Sequence, residues 1–356
     1  MIPLFVGSLS GYAGKNMIGL GLSLEFRKSG HKIGYFKPIG VFPAREGDTI
    51  TDEDAKFFRH ALDLTDPIPS MCPIVLTEGV VHQVMTNGYS GAMDKITEAF
   101  GVVSKDKDVV LIGGMGDLEL GLAVQASGLQ IVEKLDAKVI LVTKFVNLCF
   151  CVDRCLAAKE QLGDRLVGVV FNRATRREKE IVEERVAPFL GERGVDVLGT
   201  IREDPVLGAV PVEKLVQTLN AQVLCGEEGL DHLVERFSIG AMNVESALRF
   251  FQRQPNKGVV VGGDRPDIQL AALETSTRCL ILTGDLYPNE IILAKAEEKG
   301  VPVLLVKTDT ASTVEICEDL FGHLSLHSVE KLKRVTEVVN AEVNMALVYE
   351  KLGLKR

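Results

Sequence analysis

The first part of the chain alternates short apolar runs with longer stretches in which apolar positions recur at helical spacing. The runs are nearly continuous, which is typical of parallel strands covered on both faces. They are IPLFVGS, KIGYFKP, DVVLIGG, AKVILVTK, LVGVVFN and VDVLGTI. Helices are predicted between them, at residues 15–30, 51–62, 90–103, 120–135, 152–162 and 176–193. This series predicts an α/β fold built on a doubly wound parallel sheet.

The pattern changes after IREDPVLGAVP, where Pro205, Gly208 and Pro211 interrupt the periodicity. A shorter series follows, and its apolar runs are AQVLCG, GVVVGG, RCLILTG and VPVLLVK. It predicts a second, smaller α/β domain. The C-terminal stretch is amphipathic and helical. We therefore divide the chain into residues 1–208, residues 209–330 and a helical tail at residues 331–356.

Composition narrows the class of protein. A length of 356 residues exceeds one typical core, and 46% hydrophobic with 25% charged residues is typical of a soluble globular chain. The net charge of −9 argues against a nucleic-acid partner. We see neither a basic leader nor a run of about 18 apolar residues, so neither a signal peptide nor a membrane span is predicted. We expect a cytoplasmic protein.

The stretch GSLSGYAGKN, residues 7–16, lies between the first apolar run and the first helical pattern. Its glycines and its lysine resemble the phosphate loop G-x-x-x-x-G-K-[ST], whose backbone N–H groups surround a phosphate, although six residues rather than four separate Gly7 from Gly14. The motif's hydroxyl residue is replaced by Asn16, whose bulkier amide weakens Mg²⁺ coordination. We expect ATP or a related nucleotide, with Mg²⁺ left open. The expected contact residues are Gly7, Ser10, Gly11, Gly14, Lys15, Asn16 and Met17.

Several segments together resemble the dethiobiotin synthetase family: GSLSGYAGKN, GYFKPIG, DEDA, GVVFNRA and VLGTIREDP. They also resemble cobyrinic acid a,c-diamide synthases and, with the most similar spacing, the N-terminal region of long phosphotransacetylases. GGDRPDIQLAAL and residues 279–313 resemble the DRTGG domain that follows this region in the latter proteins. The resemblance implies a P-loop NTPase-like domain followed by a DRTGG-like domain. We expect the acetyltransferase domain to be absent, because the sequence ends at Arg356.

The resemblance implies roles for individual residues. In an enzyme of this type Lys37 would bind a carboxylated substrate, and Asp54 would hold Mg²⁺ together with Asn16. The residues implied to surround the adenine base are Asn172, Glu203 and Pro205. Each position has a structural alternative: a strand-end lysine in solvent, an acid near a helix N-terminus, or an asparagine in a turn.

One departure from the family concerns a second carboxylate near the metal. The resemblance implies a glutamate at the end of the third strand, whereas this chain has Gly113. Asp117 and Glu119 follow shortly after, and either is a candidate replacement if the loop folds back. Phosphoryl transfer depends mainly on the metal and on positioning. We therefore expect nucleotide binding with little hydrolysis.

The second domain has glycine and acid in two loops that follow apolar runs. Such loops lie together at the carboxyl edge of a parallel sheet, where small ligands bind. The positions that match the motif of the DRTGG domain are Asp264, Arg265, Thr283 and Gly284, while Asp285 replaces the last glycine. The alternative is structural, with Asp264 capping a helix and pairing with Arg265. The resemblance implies a regulatory domain.

Three hypotheses follow from the residues. The first is a nucleotide-binding regulatory or scaffold protein, linked to a protein partner in acetyl-phosphate metabolism. The second is an ATP- and Mg²⁺-dependent carboxylate-activating ligase. The third is a structural homo-oligomer with a vestigial pocket. We expect a homodimer, and the tail has an apolar stripe that packs against its own chain or a partner. Its residues are Val335, Val338, Val339, Val343, Leu347 and Leu352.

Overall fold

A computed structural model describes residues 1–11, 13–322 and 329–355. It divides into two units, Met1–Glu203 with Leu326–Arg356, and Asp204–Ser325. The second unit is therefore an insertion, after which the chain returns to the first unit. The sequence-based boundaries were drawn at 208/209 and 330/331, and the units divide at 203/204 and 325/326.

The first unit is built on a six-stranded sheet with strand order β10-β9-β8-β1-β7-β2. All neighbouring strands in it are parallel. The strands of this unit are β1 Ile2–Ser8, β2 Ile33–Phe36, β3 Ile39–Gly40, β4 Pro43–Glu46, β5 Thr49–Asp52, β6 Ile74–Val75, β7 Val109–Gly113, β8 Lys138–Thr143, β9 Leu166–Ala174 and β10 Val197–Arg202. The helices before the insertion are α1 Lys15–Lys28, α2 Glu53–Ala61, α3 Ile68–Met71, α4 Glu78–Asn87, α5 Ala92–Val103, α6 Gly128–Lys134, α7 Leu148–Leu162, α8 Arg176–Ile181 and α9 Ala187–Gly191.

The six apolar runs of the first part form the six strands of this sheet, which confirms the predicted doubly wound parallel architecture. Their side chains are buried on both faces, as in β7, where all five residues are buried. Continuous burial explains why the runs show no alternation with polar residues.

Two predicted helices differ from the structure. The helix predicted at 120–135 is wrong in its first half, because Gly121 and Gln125 take left-handed backbone conformations around a 3₁₀ turn. The helix α6 begins only after Ser127, whose hydroxyl caps it. The helix predicted at 176–193 contains a π-helical turn at Val182–Val186, between α8 and α9. The hairpin β4–β5 and the helices α3 and α4 were not predicted.

The second unit is built on a five-stranded sheet with strand order β12-β17-β16-β15-β14. Its strands run parallel except β12, which is antiparallel to β17. The strands of this unit are β11 Val210–Pro211, β12 Gln222–Cys225, β13 Leu233–Val234, β14 Arg236–Ile239, β15 Lys257–Gly262, β16 Thr277–Thr283 and β17 Val303–Leu305. Its helices are α10 Pro205–Gly208, α11 Val212–Leu219, α12 Val244–Gln252, α13 Pro266–Leu273, α14 Glu290–Glu298 and α15 Thr310–Gly322.

The C-terminal helices α16 Val329–Glu342 and α17 Met345–Leu352 pack on the first unit. Helix α16 lies so close to α1 that a Cβ added to Gly21 would stand 2.8 Å from the Val339 Cβ. The Tyr349 hydroxyl donates to Ser29 Oγ at 2.8 Å. The apolar stripe of the tail is thus used within the chain. Its buried residues are Val335, Val338, Val339, Val343 and Leu352.

Across the described residues, none of the helices combines the length and the apolar character needed to cross a membrane.

Candidate functional site

The phosphate-loop motif lies where the pattern predicted it, between β1 and α1. Strand β1 is an interior strand, between β7 and β8. Gly14 has a φ of 87°, a left-handed conformation that favours glycine, and it starts α1. Within the described chain, α1 has neither a side-chain N-cap nor an acid in its first turn. Its first N–H groups, including that of Met17, therefore form a typical anion-binding helix terminus.

Lys15 is the first residue of α1, and its side chain is partly buried. Its ammonium group has no hydrogen-bond or ion-pair partner in the described part of the chain. Burial, and then the neighbouring charge of Lys37, lower the pKa of Lys15 below its ordinary value, while Asp54 and Asp52 act in the opposite direction. Lys15 is thus a cation whose charge an anionic ligand would stabilise.

Lys37, Asp54 and Asn16 form a closed polar network beside Lys15. The Lys37 ammonium donates to Asp54 Oδ2 at 2.5 Å, and the Asn16 amide donates to Asp54 Oδ1 at 2.5 Å. Burial alone would lower the pKa of Lys37, but Asp54 and Asp52 raise it above its ordinary value. Burial alone would raise the pKa of Asp54, but Lys37 and Lys15 lower it. The pair is therefore ionic, and both Asp54 oxygens are engaged.

Asp52 fixes the position of this network and was not predicted as a site residue. Its carboxylate accepts from the backbone N–H groups of Val41, Phe42 and Asp54, each at 2.9 Å. It is the N-cap of α2 and lies 3.8 Å from the Lys37 ammonium. The sequence signal was the capping position itself, an aspartate directly before a helix.

The end of β7 offers no carboxylate, because Gly113 stands where the family resemblance implies glutamate. A Cβ at Gly113 would overlap the Tyr35 hydroxyl and would lie 3.1 Å from Tyr35 Cζ. Tyr35 is fully buried, and its ring stacks on Phe58 with centroids 3.9 Å apart. The space of a side chain at 113 is thus filled by a tyrosine that packing holds in place.

These residues do not fit a Mg²⁺ site. Asn16 replaces the hydroxyl and directs its N–H group, rather than its oxygen, at Asp54. Both oxygens of Asp54 are engaged, and Tyr35 fills the position of the missing carboxylate. No group of three or more metal-ligating His, Cys, Asp or Glu side chains occurs among the described residues. The ammonium of Lys37 and the amide of Asn16 stand where a cation would neutralise Asp54.

The residues assigned to the adenine base lie in three different surroundings. The buried Asn172 donates its amide to the backbone oxygen of Ala13 at 2.8 Å, so it supports the phosphate loop. Ser10 was assigned to the phosphate loop and not to the base, and its hydroxyl accepts from the Lys144 backbone N–H at 3.2 Å. Glu203 lies at the end of the first unit, and Pro205 opens α10 in the second unit.

Asp117 and Glu119 do return toward the phosphate loop. They line a cavity of about 220 Å³ together with Ser8, Leu9 and Arg154. The Arg154 guanidinium donates to the Leu9 backbone oxygen. Neither carboxylate is hydrogen-bonded or ion-paired to Lys15 or Lys37 in the structure as described.

The second unit brings its candidate residues to one sheet edge, where Arg265 and Thr283 are engaged with near neighbours. Arg265 pairs with Asp267 at 3.1 Å, and both side chains are exposed by more than a third. The Thr283 hydroxyl shares a hydrogen bond of 2.8 Å with that of Thr310. Gly284 has a φ of 82°, and Asp285 is left-handed too, with a φ of 57°. Asp264 is exposed in the loop before α13.

Two protein-family models match the chain. One is an AAA domain, over residues 3–217, and the other is the DRTGG domain, over residues 214–320. Among curated relatives, the phosphate acetyltransferase of Synechocystis sp. is 25% identical over 352 residues, covering 90% of this chain and 48% of that protein. The chain spans about half the length of the curated relatives it matches.

Two solved structures are each similar to one part of the chain. The septum site-determining protein MinD from Pyrococcus horikoshii, complexed with Mg-ADP, is 18% identical with a TM-score of 0.37, over 58% of this chain and 83% of that one. The CBS and DRTGG domains of Clostridium perfringens pyrophosphatase, complexed with diadenosine tetraphosphate, are 24% identical with a TM-score of 0.29. That match covers 33% of this chain and 50% of the other.

Proposed function

This chain belongs to the AAA domain family, whose model matches residues 3–217, and we propose that it is a nucleotide-binding regulatory or scaffold protein that binds ATP or a related nucleotide without needing Mg²⁺. The proposal rests on the charges beside the phosphate loop. The Lys15 ammonium has no protein partner within the described residues, whereas both oxygens of Asp54 are engaged. Such a site favours an anion and disfavours a divalent cation.

The nucleotide's phosphates would bind at the N-terminus of α1. Gly14 and the first N–H groups of α1 would surround them, and Lys15 would supply the positive charge. Lys37 would add a second charge if it turned from Asp54 toward the ligand. Asn172 holds the loop from below through Ala13, so its role would be positional.

The regulatory role is supported by the second unit and by the relatives. The DRTGG model matches residues 214–320, and the relatives are phosphate acetyltransferases. We propose a link to acetyl-phosphate metabolism, in which nucleotide binding to the first unit modulates a protein partner. We also propose a homodimer, which light scattering across a dilution series would test. A chain that stays monomeric at tens of micromolar would contradict it.

The rival function is a Mg²⁺-dependent carboxylate-activating ligase resembling dethiobiotin synthetase. Its support is that Lys37, Asp54 and Lys15 converge at one place. Asn16 and Gly113 argue against it, since phosphoryl transfer needs a positioned metal. A steady ATP turnover at about 1–100 s⁻¹, the usual range for kinases, would favour the ligase over the binding protein.

The binding proposal is tested by calorimetric titration of ATP and ADP into the wild type and the Lys15→Ala variant. We expect the substitution to weaken binding by roughly 1.5–3 kcal/mol, typical of a charge-assisted contact. Lys28→Ala, at the exposed opposite end of α1, is the matched control and should bind like the wild type. An affinity unchanged by Lys15→Ala would show that the nucleotide binds elsewhere.

A further inference from the structure

Tyr35 lies beside Lys37, whose network with Asp54 and Asn16 adjoins the phosphate loop. It is on β2, two positions before Lys37, and alternate residues of a strand point to the same face. Strand β2 pairs with β7 so that Phe36 is opposite Ile112, which brings Lys37 beside Gly113. Tyr35 and Lys37 therefore flank the place where Gly113 has no side chain.

The Tyr35 hydroxyl is a fully buried polar group that no other described residue satisfies. Leaving a buried hydroxyl without a partner is destabilising, and native proteins rarely tolerate it without a reason. Burial, and then the negative charges of Asp54 and Asp52, hold the pKa of Tyr35 well above its ordinary value. The hydroxyl therefore stays protonated and is a hydrogen-bond donor.

Packing fixes where this donor points. The ring stacks face to face on Phe58, with 5° between the two planes. The point that a Cβ at Gly113 would occupy overlaps the Tyr35 hydroxyl and lies 3.5 Å from Lys37 Cδ. The hydroxyl and the Lys37 side chain therefore lie side by side at the end of β7, next to the network of Asp54 and Asn16.

We propose that Tyr35 is a binding residue of this site, and that its hydroxyl donates to the terminal phosphate of the bound nucleotide, directly or through one water, when Lys37 turns from Asp54 to the ligand. The inference rests on the proposed function and names a further residue of the same site. Lys15, Lys37 and Tyr35 then supply three donors to the anionic end of the ligand. The phenol stands near the place where the resemblance implies the metal-side carboxylate, but it meets the phosphate as a hydrogen-bond donor and not as a metal ligand.

The test uses the full chain and removes only the hydroxyl, with Tyr35→Phe. Without ligand, the thermal midpoint should stay equal or rise, because an unsatisfied group is removed. Affinity for ATP and for inorganic pyrophosphate, measured in EDTA, should fall about fivefold to tenfold with the lost hydrogen bond. Stability and binding should thus move in opposite directions.

Tyr349→Phe is the matched control, because its hydroxyl donates to Ser29 Oγ at 2.8 Å on the tail-facing side of α1. Its midpoint should fall and its affinity should stay at the wild-type value. A second measurement is the NMR spectrum of the chain labelled with ¹³Cζ-tyrosine. The Tyr35 resonance is identified as the one missing from the Tyr35→Phe variant. It should shift when ATP is added, while the Tyr349 resonance should not.

The assignment is overturned if Tyr35→Phe binds both probes like the wild type, or if its midpoint falls as that of Tyr349→Phe does. In that case the proposed function is still supported if the wild type binds ATP and the Lys15→Ala variant does not. A wild-type chain that binds neither probe overturns the proposed function, and the Tyr35 assignment with it.

Discussion

Lys37 in the first unit and Lys257 in the second are both fully buried, and they have opposite surroundings. Lys37 faces the carboxylates of Asp54 and Asp52, which raise its pKa. Lys257 donates to the Thr275 hydroxyl and the Ser276 carbonyl oxygen, and burial lowers its pKa to about 8. Lys257 thus has neutral partners in place of a counter-charge. A buried lysine that faces a counter-charge can exchange that charge for an anionic ligand.

The carboxyl edges of the two sheets differ in the same way. In the first unit the charged side chains of Lys15, Lys37 and Asp54 converge and are largely removed from solvent. In the second unit Arg265 and Asp267 pair with each other at the surface. Water screens an exposed pair strongly, so it contributes little energy, whereas buried charges interact strongly and need partners. The glycine and acid pattern is present at both edges, but among the described residues buried charges converge at the first edge and not at the second.

Removing one carboxylate from each sheet edge should give the largest difference in the free energy of unfolding between the two edges. Asp54→Ala leaves the buried Lys37 ammonium with Asp52 at 3.8 Å and the Gly114 carbonyl oxygen at 3.5 Å. We expect a loss of about 3 kcal/mol in the free energy of unfolding, at the lower end for a broken buried pair. Asp267→Ala should cause no measurable loss, because its partner is exposed. Urea denaturation without ligand would compare them, and equal losses would remove the distinction between the two edges.

Adding one methyl group at Gly113 should have the next largest effect. Gly113→Ala places a Cβ against the Tyr35 hydroxyl, so we expect a loss of about 1–3 kcal/mol from overpacking. The loss should shrink, but not vanish, in a Tyr35→Phe background, because Tyr35 Cζ is still 3.1 Å away. Gly101→Ala in α5 is the control; no described atom lies within 4 Å of its added Cβ, and it should gain up to about 1 kcal/mol. A neutral Gly113→Ala would show that Tyr35 is free to move.

The smallest expected effect is a pH dependence in the second unit. Folded Lys257 loses its proton near pH 8 and the unfolded side chain near 10.5, so the unfolded state binds more protons between these values. The stability of the second unit should therefore rise with pH between 8 and 10.5, by on the order of 1 kcal/mol. Hydrogen exchange of peptides from β15 and β16 measures it. Lys257→Met should lack the rise, and a wild type without it would place the pKa of Lys257 near its ordinary value.

The sequence predicts those parts of the molecule that depend on neighbours along the chain. The strands of the first sheet and the phosphate loop were predictable, since continuous apolar runs and the spacing of Gly14 and Lys15 are local signals. The helix predicted at 120–135 was wrong in its first half, because Gly121 and Gln125 take left-handed backbone conformations. The periodicity of apolar residues does not reveal such conformations.

The closed network of the site was not predictable from the sequence in this way. Asn16 and Asp54 are 38 residues apart, and no pattern connects them. That Tyr35 fills the space at Gly113 depends on the pairing of β2 with β7, a feature of sheet order. The return of the tail to α1 depends on contacts such as Asn340 with Glu25, which are 315 residues apart. Composition and periodicity carry no information at these separations.

The central claim is that this site binds nucleotide phosphates without a divalent cation, because Lys15 and Lys37 supply the positive charge that a metal ion would otherwise bring to the phosphates. Calorimetric titration of ATP into the wild-type chain, once in EDTA and once in millimolar Mg²⁺, tests it most directly. The account predicts measurable binding in both buffers, with affinities within about threefold of each other, less than 1 kcal/mol. Binding that is absent in EDTA and appears with Mg²⁺, or that tightens more than tenfold, would contradict it.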